Sequence, residues 1–63
     1  MMRDADSDPV AVARTAIEKF GSLTTAAARL RVSRLALANV ALGGGTDGTK
    51  LLLLDRARQA GLL

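Results

Sequence analysis

Thr24-Thr25-Ala26-Ala27-Ala28-Arg29-Leu30-Arg31-Val32-Ser33-Arg34-Leu35-Ala36-Leu37-Ala38-Asn39-Val40 reads as two short helices joined by a tight turn. Ala26, Leu30, Val32, Leu37 and Val40 form the apolar set that holds such a pair at a fixed angle, and the small Ala27 sits where the helices must cross closely. Ser33 stands where the second helix needs a cap, because its hydroxyl accepts from backbone N–H groups that a first turn leaves free. The expected helices are 23–30 and 34–42. The link between them is only Arg31-Val32-Ser33, short enough to force a steep crossing with Val32 plugging the core beneath the turn.

Upstream, Asp8-Pro9 is a strong helix start, since the carboxylate accepts orphan N–H groups and proline at the first helical position sacrifices no needed donor. The spacing predicts a helix over 9–20, with Val10, Ala13, Ala16, Ile17 and Phe20 on one apolar stripe and Arg14, Glu18 and Lys19 in solvent. Gly21 ends it and Ser22 caps the next helix. Phe20, the only aromatic residue, is read as a core anchor, with stacking on a nucleobase as the alternative.

Downstream, Gly43-Gly44-Gly45-Thr46-Asp47-Gly48 is too rich in glycine to continue a helix and reads as a mobile loop. It lacks the preceding strand and the spacing of a phosphate-cradling P-loop. Thr49 is the expected cap of a fourth helix over 50–60, and Gly61 its stop. At about 100° per residue, Leu53, Leu54, Ala57 and Ala60 share one face of that helix, whereas Leu52 projects among Asp55, Arg56 and Gln59. Together with Leu51, Leu62 and Leu63, Leu52 supplies apolar surface beyond what one small core uses, as expected at a homodimer contact. Single exposed leucines are also common without any function. The reading is a compact all-α domain of four helices over 9–63, preceded by a disordered acidic leader over 1–8.

Sixty-three residues without cysteine allow one small domain with neither disulfide staples nor a thiolate metal site. Oligomerisation is an expected source of added stability. Histidine, tyrosine and tryptophan are absent as well, which excludes imidazole catalysis, His-ligated metal and stacking of Tyr or Trp on bases. Serine, threonine and lysine have no His or Cys companion and the few acids are scattered, so no enzyme, cofactor or small-molecule ligand is expected. No apolar run approaches the roughly 20 residues of a membrane span, and the acidic opening does not resemble a signal peptide. A cytoplasmic, nucleoid-associated protein is expected.

The formal charge of +3 hides an asymmetry, because Arg3 stands against Asp4, Asp6 and Asp8 while the chain from Pro9 onward carries +5. Such a surplus on so small a body favours polyanions through phosphate contacts and counterion release, although many basic proteins bind no nucleic acid.

From Ile17 to Leu63, about three quarters of the chain, the sequence resembles the phage repressor and Cro-type helix-turn-helix family. The residues that carry the resemblance are Ala27, Val32, Ser33-Arg34, Leu37 and Val40, followed by Gly48-Thr49 and a leucine-rich helix. An Ala-Ala-x-x-Leu-x-x-Ser-Arg-x-x-Leu pattern also occurs in Fis-type domains, but the Gly-rich loop and fourth helix fit the repressor-like fold better. The resemblance implies double-stranded DNA as the partner and places Arg34, Leu35, Ala38 and Asn39 on the recognition helix, where they reach base edges. The Arg34 guanidinium can donate two bonds to guanine, the Asn39 amide can pair with adenine, and Leu35 and Ala38 can meet thymine methyl groups. Ser22, Thr24 and Thr25, at the positive end of the second helix, are implied phosphate contacts, with Arg29 and Arg31 adding charge nearby.

Two departures qualify the resemblance. The turn position usually held by glycine is Arg31, which implies strain or a reshaped turn of about 1 kcal/mol. Between Arg34 and Gly43 only Asn39 offers a base-pairing side chain, which points to shape readout and repeated half-sites, or to a recognition helix that binds protein. Arg34 on a solvated face and Asn39 on a local backbone group are the plainer alternatives. The sequence therefore supports a homodimeric transcriptional repressor on an inverted repeat. It also admits an adaptor-like or antitoxin-like module docking through Leu35, Ala38, Leu42 and Leu52, and an architectural DNA binder.

Overall fold

The computed structural model of the protein describes residues 8–62, in which four helices follow one another: α1 (Pro9–Phe20), α2 (Leu23–Leu30), α3 (Arg34–Ala41) and α4 (Asp47–Gln59). Among the described residues there is no strand. The leader expected over 1–8 lies outside the described residues except for Asp8, and Leu63 lies outside them too.

Each helix begins on a side-chain oxygen that accepts an otherwise orphaned N–H. Asp8 Oδ1 accepts from the Val10 amide at 3.0 Å, Ser22 Oγ from Thr25 at 3.1 Å, and Ser33 Oγ from Ala36 at 3.0 Å. The fourth start departs from the expected helix 50–60. Thr46, not Thr49, is the cap: its Oγ1 accepts from the Thr49 amide at 3.2 Å, and its carbonyl accepts from the Lys50 amide at 2.9 Å. The helix therefore takes in Asp47 and Gly48. Asp47 in the first turn favours this earlier start, since a carboxylate there opposes the positive end of the helix dipole.

α1 packs on each of the other three helices. A helix covered by three neighbours is buried over a wider arc than one stripe, and here that arc is centred on Ala13 and Ala16. Val12 is consequently buried and Val10 is left at the margin, half-buried, a correction to the expected stripe; Ile17 and Phe20 pack against the core as expected. The fully enclosed residues are Val12, Ala13, Ala16, Ala26, Ala27, Leu30, Leu37, Val40, Leu53 and Ala57. Alanine makes up half of that set, so the helices meet at short range, and Leu30, Leu37, Leu53 and Val40 fill most of the interior volume. Full burial of each such aliphatic side chain stabilises the fold by about 1.5–3 kcal/mol.

Ala60, expected on the inner face of the fourth helix, is exposed because the helix closes one residue before it. The amide of Gly61 donates to the Arg58 carbonyl at 3.1 Å and that of Leu62 to the Ala57 carbonyl at 2.9 Å. This paired closure folds the chain back and sets Leu62 against the core.

Candidate nucleic-acid interface

α2 and α3 are joined by Arg31, Val32 and Ser33. Arg31 occupies the left-handed region at φ 57°, ψ 43°, and it is the only non-glycine residue at positive φ among the described residues. Its amide donates to the Ala28 carbonyl at 3.3 Å and that of Val32 to the Ala27 carbonyl at 3.1 Å, which satisfies the last carbonyls of α2 and turns the chain. A side chain in this region costs about 1 kcal/mol relative to glycine. Val32 then packs against the core and Ser33 starts α3.

α3 buries Leu37 and Val40 and turns Arg34, Leu35, Ala38 and Asn39 outward. Arg34 and Asn39 are exposed, Leu35 is 72% exposed and Ala38 half-buried. Leu42, 83% exposed, continues the stripe past the helix end. Among the described residues no side-chain hydrogen bond engages the Arg34 guanidinium or the Asn39 amide. The Asn39 carbonyl accepts from the Gly44 amide at 2.7 Å, so it is the backbone of this residue, not its amide, that serves the local structure. Both ends of α3 are fixed: Ser33 caps the first turn, and Arg14 Nε on α1 donates to the Ala41 carbonyl at 3.0 Å.

The start of α2 lies on the same side as this stripe, since Leu23 lines one shallow depression with Arg34, Leu35 and Ala38. Ser22, Thr24 and Thr25 are exposed there. The Ser22 hydroxyl donates to Thr25 Oγ1 at 3.0 Å while accepting the Thr25 amide, which makes this pair a fixed hydroxyl cluster at the positive end of the helix.

Arg29 and Arg31, grouped with those hydroxyls by the sequence, stand at the other end of α2. Eight residues at about 1.5 Å each separate the two ends by roughly 12 Å. There Arg29 holds its guanidinium 5.9 Å from the centre of the Phe20 ring, a cation–π distance. With Arg31, Arg56 and Gln59 it lines a separate open hollow between the ends of α2 and α4.

Comparison with protein-family models, with curated proteins and with solved structures finds no match.

Of the leucines expected at a dimer contact, Leu51, Leu52 and Leu62 fall within the described residues, and they are not gathered in one patch. Leu51 is 67% exposed and sits beside Pro9, Lys50 and Leu54, whereas Leu52, 43% exposed, lines a groove with Val32, Ala36, Leu37 and Thr49. Leu62 packs on the core of its own chain.

Chemically, the outward face of α3 combines a planar guanidinium fork, a carboxamide and bare methyl groups, a set able to pair with base edges and pack on a methyl. Among the described residues no acidic, His or Cys cluster suits a metal ion, and no helix is long and apolar enough to cross a membrane. Three participants escaped the sequence reading: Arg14 as a clamp on α3, Arg56 in the basic hollow, and Leu23 in the depression. Their own helices carry no local signal for these roles, which arise only where one helix meets another.

Proposed function

We propose that this chain is a small transcriptional regulator that binds double-stranded DNA through a helix-turn-helix formed by α2 and α3. The observation that carries this reading is the shared surface of the two helices. The α2 start, with its hydroxyls and positive dipole end, adjoins an α3 face whose Arg34 and Asn39 side chains are free of hydrogen bonds among the described residues. In that arrangement α2 grips a phosphate and α3 enters the major groove. The surplus of positive charge supports association with a polyanion.

The regulator acts as a homodimer and represses by occluding a promoter. Leu51 and Leu52 lie on separate patches, either of which offers exposed apolar surface to a second copy, and a twofold pair would set its recognition helices about 34 Å apart on an inverted repeat. Few polar groups on α3 make discrimination depend on half-site repetition and DNA shape.

Selection of bound duplexes from a random pool tests this reading, followed by titration of the winner and a scrambled control at two salt concentrations. The expected result is an enriched inverted repeat whose affinity exceeds that of the control and falls steeply with salt. Equal, salt-sensitive binding to both would replace it with an architectural role.

A second reading rests on Leu35 and Leu42, whose exposures of 72% and 83% put bare apolar surface on the same face of α3. That face would dock a protein partner, with binding largely insensitive to salt. Failure to bind either duplex would favour it.

A further inference from the structure

We propose that the hollow between the ends of α2 and α4 is a binding site for a phosphoryl group, held by the guanidinium groups of Arg29, Arg31 and Arg56. This site stands on its own geometry and does not depend on the α3 face reading a base sequence.

The hollow is lined by Arg29, Leu30, Arg31, Arg56, Gln59 and Ala60, so three cations meet there, and among the described residues no carboxylate lines it. Asp55 is the acid nearest in sequence, and its Oδ2 accepts from Gln59 Nε2 at 2.8 Å. Arginines near a helix C-terminus can hydrogen-bond its last carbonyls, but here backbone amides serve several of them. The carbonyls of Ala27 and Ala28 accept from Val32 and Arg31, and those of Arg56, Ala57 and Arg58 accept from Ala60, Leu62 and Gly61. Among the described residues no hydrogen bond engages the guanidinium groups of Arg29, Arg31 or Arg56.

Each arginine also shows a sign of being held for such a task. Arg56 Nε is buried and has no hydrogen-bond partner among the described residues. A buried donor without a partner is uncommon in folded proteins, because it forgoes a bond that water would otherwise supply. Arg29 holds its guanidinium carbon 5.9 Å from the centre of the Phe20 ring, a cation–π distance that steadies the side chain at the rim of the hollow. Arg31 stands at φ 57° where glycine would be relaxed, a strain that the chain retains together with a charged side chain. Three forks around one opening match the several acceptor oxygens of a phosphoryl group, which guanidinium binds in a bidentate manner.

That phosphoryl group has two possible sources, a free phosphate compound or a backbone phosphate of a nucleic acid. Resolved Arg Nε–H signals of the full chain, followed by NMR at constant ionic strength, distinguish them. One titration uses inorganic pyrophosphate and the other a duplex of arbitrary sequence. The expected result is a saturable shift of the Arg56 Nε–H signal, accompanied by Arg29 and Arg31 and not by Arg14 or Arg58. Saturation with pyrophosphate alone assigns the site to free phosphate compounds, and saturation with duplex alone assigns it to backbone phosphate. If the Arg56 signal stays still in both titrations, or moves only linearly in step with Arg58, the site does not exist.

Two variants guard this result. Arg56→Gln should weaken the saturable binding about tenfold or more, the loss expected when a charge-assisted pair is removed. Arg31→Gly should weaken it similarly while raising the thermal midpoint, because glycine relieves the left-handed backbone. Unchanged affinity in both variants overturns the proposal.

Discussion

Arg14 Nε reaches across from α1 to donate a 3.0 Å hydrogen bond to the carbonyl of Ala41, the last residue of α3. A cation at this end of the helix both fills an open acceptor and opposes the negative end of the dipole. It ties the orientation of α3 to the helix on which the whole fold is assembled.

Arg14→Gln should therefore lower stability by about 1 kcal/mol, the scale of a charge-assisted bond reduced by exposure to water. Urea unfolding measures the loss. An unchanged midpoint would mean that the Ala41 carbonyl is equally well served by solvent.

Ala27 is 4% exposed, while Ala28 beside it is exposed. Ala27→Leu should destabilise by about 1–3 kcal/mol through overpacking, and Ala28→Leu should leave the unfolding midpoint nearly unchanged. Equal effects of the two substitutions in thermal melts would contradict this placement of α2.

Gly45 lies at φ 93°, and a Cβ built on it would stand 2.9 Å from Val40 Cγ2, a buried side chain of α3. Gly43 has a similar φ of 98° but open space around the same position. Gly43→Ala should cost about 1 kcal/mol for the left-handed backbone alone, and Gly45→Ala clearly more because Val40 must also move. Equilibrium denaturation of the two variants should rank them in that order.

Arg34→Ala should weaken binding to a selected duplex by about 1–3 kcal/mol, which is roughly tenfold or greater, without changing helix content. Circular dichroism and a duplex titration read the two quantities separately. Full affinity in the variant would remove Arg34 from the contact surface.

The elements most legible in the sequence are those decided by neighbours along the chain. Asp8, Ser22 and Ser33 each place an oxygen near the first free amides of a helix, and the first three helix starts follow from them. Thr46 and Thr49 offer the same chemistry three residues apart, with Gly48 between them disfavouring helix. The choice fell to Thr46 because Asp47 and the bond from Lys50 stabilise the earlier turn. At Arg31 the family resemblance implied strain or a reshaped turn where glycine is usual, and the backbone there is left-handed. The exposure of Val10 relative to Val12 was not, since it depends on how three helices share α1. The face of α3 could be assigned from its period, and the distance of Arg29 and Arg31 from Ser22 and Thr24 follows from the length of α2, but the hollow they share with Arg56 required the position of α4.

Half of the enclosed residues are alanines, each contributing a single methyl group to the interior. A chain of this size has a small unfolding enthalpy, so its melt is broad and its midpoint responds strongly to added free energy. Each 1 kcal/mol contributed by a bound partner should raise the midpoint by about 4–8 °C. Occupancy of this molecule can then be followed as heat resistance, whichever of its faces the partner covers.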